Sequence, residues 1–109
     1  MKTLLRKIDW LAMCETGWGN GYVIIPKGHE LHGKHYDDIN VDVHGGLTYS
    51  DKLTEDIASM FFPKDDLKDD IGGWLVGFDC AHYGDTLETC PKEYVESETE
   101  KLREQLENY

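Results

Sequence analysis

Apolar positions along the chain alternate or cluster in ways that predict strands first and helices second. Between Ile8 and Pro26 two apolar runs flank Gly17-Trp18-Gly19-Asn20-Gly21, a stretch rich in residues that reverse the backbone. This predicts a β-hairpin with strands over 8–15 and 21–26, Pro26 ending the second. Leu4, Leu5, Ile8, Leu11 and Ala12 also fit a helical stripe, so a helix over 2–14 is the alternative. Lys27 to Asn40 has few core-forming residues and reads as an ordered loop. Val41-Asp42-Val43-His44 alternates, and Leu47-Thr48-Tyr49 follows two glycines, which predicts a bent strand over 41–49. Leu53, Ile57, Met60 and Phe61 fall at helical spacing, with Ser50 or Asp51 as cap and Pro63 as stop. Trp74-Leu75-Val76-Gly77-Phe78 is a continuous apolar run between glycines and predicts a central strand over 73–79.

The last segment predicts a helix over 91–107. Pro91 suits its start, Glu93 its positive dipole end, and Val95, Thr99, Leu102 and Leu106 mark one apolar face. The fold class is therefore α+β: an antiparallel sheet of four to five strands with this amphipathic helix on one face. Ile24, Val43, Trp74, Val76, Phe78, Val95, Leu102 and Leu106 are the expected core.

At 109 residues the chain has the size of a single domain, 1–109. Acidic residues outnumber basic ones 22 to 11, for a net charge of −11, which disfavours direct DNA or RNA binding and docking on an anionic membrane. No run of apolar residues is long enough to span a bilayer or serve as an export signal. Cys14, Cys80 and Cys90 are therefore expected to be reduced thiols.

Two stretches carry a resemblance. One runs from Gly21-Tyr-Val-Ile-Ile-Pro-Lys-Gly-His29 through Gly33-Lys-His-Tyr-Asp-Asp-Ile39 to His44-Gly-Gly-Leu-Thr-Tyr49. The other is Gly77-Phe-Asp-Cys-Ala-His82 with Gly84-Asp85. Together they resemble a family of small proteins carried by tailed bacteriophages and prophages, which share HGGLTY- and GFDCAH-type motifs and end in a Glu-rich helix. The resemblance implies a phage protein acting in the host cytoplasm, with 51–70 as a variable insertion. It implies no particular chemistry.

The chemistry has to come from the residues. His44, Gly45, Gly46, Asp79 and His82 each follow an apolar strand, and neighbouring strand ends would bring them to one pocket. Exposed glycine N–H groups suit an anion, and Lys27 and Lys34 in the only basic loop would lie across it. A metal at this end would take His44, Asp79, His82 and Asp85, although no strong ligand spacing is present and no cofactor is expected. Short polar groups at a strand end also commonly satisfy backbone, and Cys80 beside His82 offers a thiol and a base within a negative neighbourhood.

These observations support three functions. The first is a phage accessory protein that binds a small nucleotide-like host metabolite or signal to counter host defence, without catalysis. The second is an acidic nucleic-acid mimic that inhibits a host nuclease or defence effector, using clusters such as Asp37-Asp38, Asp65-Asp66 and Asp69-Asp70. The third is a small metal-dependent hydrolase. The expected partner is a small molecule or a host protein, and a homodimer is compatible with so short a chain.

Overall fold

The computed structural model describes residues 1–8 and 16–109. Its centre is a four-stranded antiparallel sheet of β1 (Lys2–Lys7), β2 (Gly19–Ile25), β3 (Tyr49–Lys52) and β4 (Trp74–Phe78), in the order β1-β2-β4-β3. Two helices, α1 (Glu55–Phe61) and α2 (Lys92–Glu107), complete the α+β architecture.

Strand pleating divides the core in two. Val23, Ile25, Val76 and Phe78 point to the face covered by Val95, Leu102 and Leu106 of α2. Leu31, Ile39 and Val43 from the long loop after β2 join the same cluster. On the other face Leu4, Tyr22, Ile24 and Leu75 meet Leu53, Phe62 and Leu67. The 51–70 stretch thus supplies part of the second core. Of the expected core residues, seven are buried and Trp74 is half-buried at the start of β4.

The first strand differs from expectation. Lys2–Lys7 pairs with β2, Lys7 opposite Gly19 and Lys2 opposite Ile24, so residues 2–7 are not helical. The predicted strand over 8–15 falls mainly on residues outside those described. Its supposed turn glycines have another role: Gly19 and Gly21 belong to β2, where a Cβ would collide with the Arg6 carbonyl or with Thr99 and Phe78. Close packing, rather than reversal of the chain, requires glycine there.

The strand over 41–49 is also displaced. Gly45 and Gly46 both adopt positive φ and Gly46 N–H closes a turn on the Val43 carbonyl, so regular pairing starts only at Tyr49. Ser50 and Asp51 lie in β3, and Thr54 caps α1 by accepting the Ile57 N–H. Pro91 is the N-cap of α2, one residue before the helix. Among the described residues no helix is long and apolar enough to cross a membrane.

Candidate metal centre

Beyond Phe78 the chain leaves the sheet and runs through turns from Asp79 to Pro91 before entering α2. This loop returns Asp85 and Cys90 to Cys80, at the end of β4. His44, from the turn before β3, reaches the same point. One donor atom from each of His44, Cys80, Asp85 and Cys90 lies within 4.8 Å of every other.

Individual separations are 3.0 Å from His44 Nε2 to Asp85 Oδ1, 3.6 Å from Cys90 Sγ to Asp85 Oδ1 and 3.9 Å from Cys90 Sγ to His44 Nε2. Zinc bonds of roughly 2.0–2.3 Å to N, O and S place tetrahedral ligands about 3.3–3.8 Å apart. The His44, Asp85 and Cys90 donors therefore already stand near the edges of one zinc-sized face, with the Cys80 donor within 4.8 Å of each. Two sulfurs, one imidazole and one carboxylate favour a thiophilic divalent cation over magnesium or calcium.

The surroundings hold these groups in place. His44 N–H donates to Glu98 Oε1 at 2.8 Å, and its Nδ1 is 2.9 Å from the Tyr94 hydroxyl. Without a cation, Nε2–H donates to Asp85 and the Tyr94 hydroxyl donates to Nδ1. A bound cation would take Nε2 as its ligand and leave Nδ1–H to donate to Tyr94, a hydroxyl that can serve either tautomer. Asp85 Oδ2 accepts the His82 N–H at 2.9 Å. Burial opposes the Asp85 carboxylate, yet this bond and the His44 contact outweigh it and hold the carboxyl below its usual range.

Both thiols are buried and form no disulfide with each other. Burial pushes Cys80 up to about 12, reinforced by Cys90 and the nearby carboxylates, and also raises Cys90. A protonated thiol is a poor nucleophile, which argues against the Cys80–His82 thiol and base pair. A bound cation would instead draw both thiols into the thiolate form.

The backbone before β2 fixes the spacing of the two cysteines. Gly17 N–H donates to the Cys80 carbonyl at 2.6 Å, and Trp18 N–H to the Cys90 carbonyl at 2.9 Å. A Cβ on Gly17 would lie 2.6 Å from the Cβ of both cysteines. Gly17→Ala is expected to weaken zinc binding at least tenfold and destabilise the fold by about 1–3 kcal/mol through overpacking. Competition against a chromogenic chelator checks this, and an unchanged affinity would show that Gly17 does not set the thiol spacing.

The sequence-predicted site residues are partly brought together. The His44 and His82 rings are 5.9 Å apart between centroids, and His82 Nδ1 is 3.5 Å from Asp79 Oδ1. Gly45 packs against the His82 ring, where an added Cβ would meet Cε1 at 2.4 Å. Its close approach is therefore to a side chain of this protein. Gly46 closes the adjoining turn.

Lys27 and Lys34 lie at the opposite end of β4. The Lys27 side chain covers Gly72, and the Lys34 carbonyl accepts the Trp74 indole N–H at 2.8 Å. Their loop runs beside the start of β4, whereas the His44 site follows its end, so it does not lie across that site. The loop histidines serve local contacts: His29 Nδ1 accepts Leu31 N–H, His32 Nε2 meets the Gly72 carbonyl, and His35 Nδ1 accepts Asp37 N–H.

Sequence reasoning missed Cys80 and Cys90 as members of the donor cluster and Tyr94 and Glu98 as the groups that hold His44. The available signal was Cys80-x4-Asp85-x4-Cys90, an even spacing followed by Pro91. Comparison with protein-family models, curated proteins and solved structures finds no match.

Proposed function

We propose that this chain is a zinc-binding protein whose metal is held by His44, Cys80, Asp85 and Cys90, within a phage accessory role in the host cytoplasm. The convergence of four buried or half-buried donor atoms within 4.8 Å of one another, three of them near tetrahedral spacing, carries the reading. Four protein ligands make the centre closed, so its first effect is structural: it ties the Asp79–Pro91 loop to the turn before β3. Of the functions weighed from sequence, the metal-dependent class gains most. A nucleotide-like anion loses Lys27 and Lys34 and meets Asp79, Asp85 and Glu98 around His44 instead.

The pH dependence of binding separates the two. An anion held by protonated histidines binds less well as pH rises through about 6.5. A cation held by thiolates does the reverse. Cys80 and Cys90 are protonated at neutral pH, and each proton expelled makes affinity rise tenfold per pH unit. Apparent zinc affinity is expected to rise by up to about a hundredfold per pH unit below the thiol titration range. Zinc titration of the full chain from pH 6 to 8, with elemental analysis after gel filtration, makes the measurement. Protein that retains no zinc, or binds it independently of pH, would contradict the thiolate centre.

A further inference from the structure

We propose that Asp85 bridges two divalent cations, and that a second zinc is held by Asp79 Oδ1, His82 Nδ1 and Asp85 Oδ2. The inference rests on the zinc centre described above and extends it outward. Asp85 Oδ1 faces His44 and Cys90, while Oδ2 faces the His82 ring. A carboxylate turned both ways is the usual bridge between metals about 3.5–4 Å apart.

In the second set, both separations from His82 are suitable. His82 Nδ1 is 3.4 Å from Asp85 Oδ2 and 3.5 Å from Asp79 Oδ1. Ligands bonded at about 2.0–2.2 Å stand about 3–3.5 Å apart around one cation. His82 Nδ1 is buried and makes no hydrogen bond, although the ring is 39% exposed. Asp79 and Asp85 flank it at 3.5 and 3.4 Å without forming a hydrogen bond, and a cation coordinated by its lone pair would engage all three groups. The ring cannot easily turn away because it stands against Gly45.

Charge favours the same arrangement. One zinc with two thiolates and Asp85 leaves the centre at −1, and Asp79 makes it −2. A second dication neutralises the four anionic groups in a chain that already carries −11. Four protein ligands surround the inner cation, whereas the outer one has three beside an exposed ring edge. The outer cation therefore keeps open positions, where water or an oxyanion would bind.

Zinc titration of the demetallated full-length chain, with cobalt substituted in parallel, tests the bridge. Two equivalents of zinc are expected to survive gel filtration. The thiolate-to-cobalt charge-transfer band should be complete after the first equivalent and unchanged by the second. His82→Gln and Asp79→Asn should each bind one equivalent and keep the full thiolate band, which also reports that the variant has folded. Saturation of the parent at one equivalent would overturn the bridge while leaving the inner centre intact, with His82 then a charged partner of two carboxylates. Two equivalents retained by both variants would place the second zinc elsewhere and overturn it too. No bound zinc and no thiolate band would overturn the inner centre and the bridge together.

Discussion

Chelating the metal from the zinc-loaded protein is expected to lower its thermal midpoint by roughly 10 °C or more. The Asp79–Pro91 loop contains neither helix nor strand, yet it contributes three of the four inner ligands. Its Cys80 and Cys90 side chains join the main core, whereas the Asp85 carboxylate is desolvated at the end of the sheet, a cost that a bound cation would offset. A ligand that binds only the folded chain stabilises it by about 2.7 kcal/mol at a hundredfold excess over its Kd. For a chain of this size each kcal/mol moves the midpoint by about 4–8 °C. The doubly substituted Cys80→Ser/Cys90→Ser protein should start at the lower midpoint and ignore the chelator. Parent protein that melts identically with and without chelator would show that no stabilising cation is bound.

The sequence was most legible where one physical signal dominated. In α2 the four apolar-face positions, Val95, Thr99, Leu102 and Leu106, are its four buried residues. The continuous run at Trp74–Phe78 similarly marks a central strand, paired on both sides. Glycine was harder to interpret because one residue type answers to several demands. Gly19 and Gly21 resemble a turn in sequence, but what they require is space. Gly45 resembles a ligand cradle, but its nearest neighbour is the His82 ring. Asp79, His82 and His44 lie near one another because the first two follow the end of β4 while His44 precedes the adjacent start of β3, where Tyr49 pairs with Gly77. The inner ligand set was less visible. Cys80 and Cys90 meet through a long irregular loop, and no periodicity records how such a loop folds back. The supporting groups Tyr94 and Glu98 lie on the exposed side of a helix in sequence terms, and only the position of His44 gives them a partner.

Gly21→Ala is expected to destabilise the fold by roughly 3 kcal/mol, the upper end of ordinary overpacking. Gly21 lies in β2 opposite Phe78, where Thr99 of α2 packs against the sheet. An added Cβ would fall 2.0 Å from Thr99 Oγ1 and 2.6 Å from Phe78 Cε1, both in fully buried side chains. Neither neighbour can swing into solvent, so the helix must move outward and uncover Val95 and Leu102. Thr99→Ala should relieve part of the collision, because its hydroxyl makes only a helix-internal bond to the Val95 carbonyl. The double variant should recover at least about 1 kcal/mol relative to the sum of the two single changes, as contacting residues do. Zinc affinity should follow the same order. The displaced helix carries Tyr94 and Glu98, which position His44, so binding should weaken in Gly21→Ala and recover in the double variant. Denaturant unfolding and zinc competition on the three variants measure both effects. Full additivity of the two changes would mean that Thr99 is not what Gly21 makes room for. Recovery of stability without recovery of zinc binding would break the proposed link between helix docking and the metal centre.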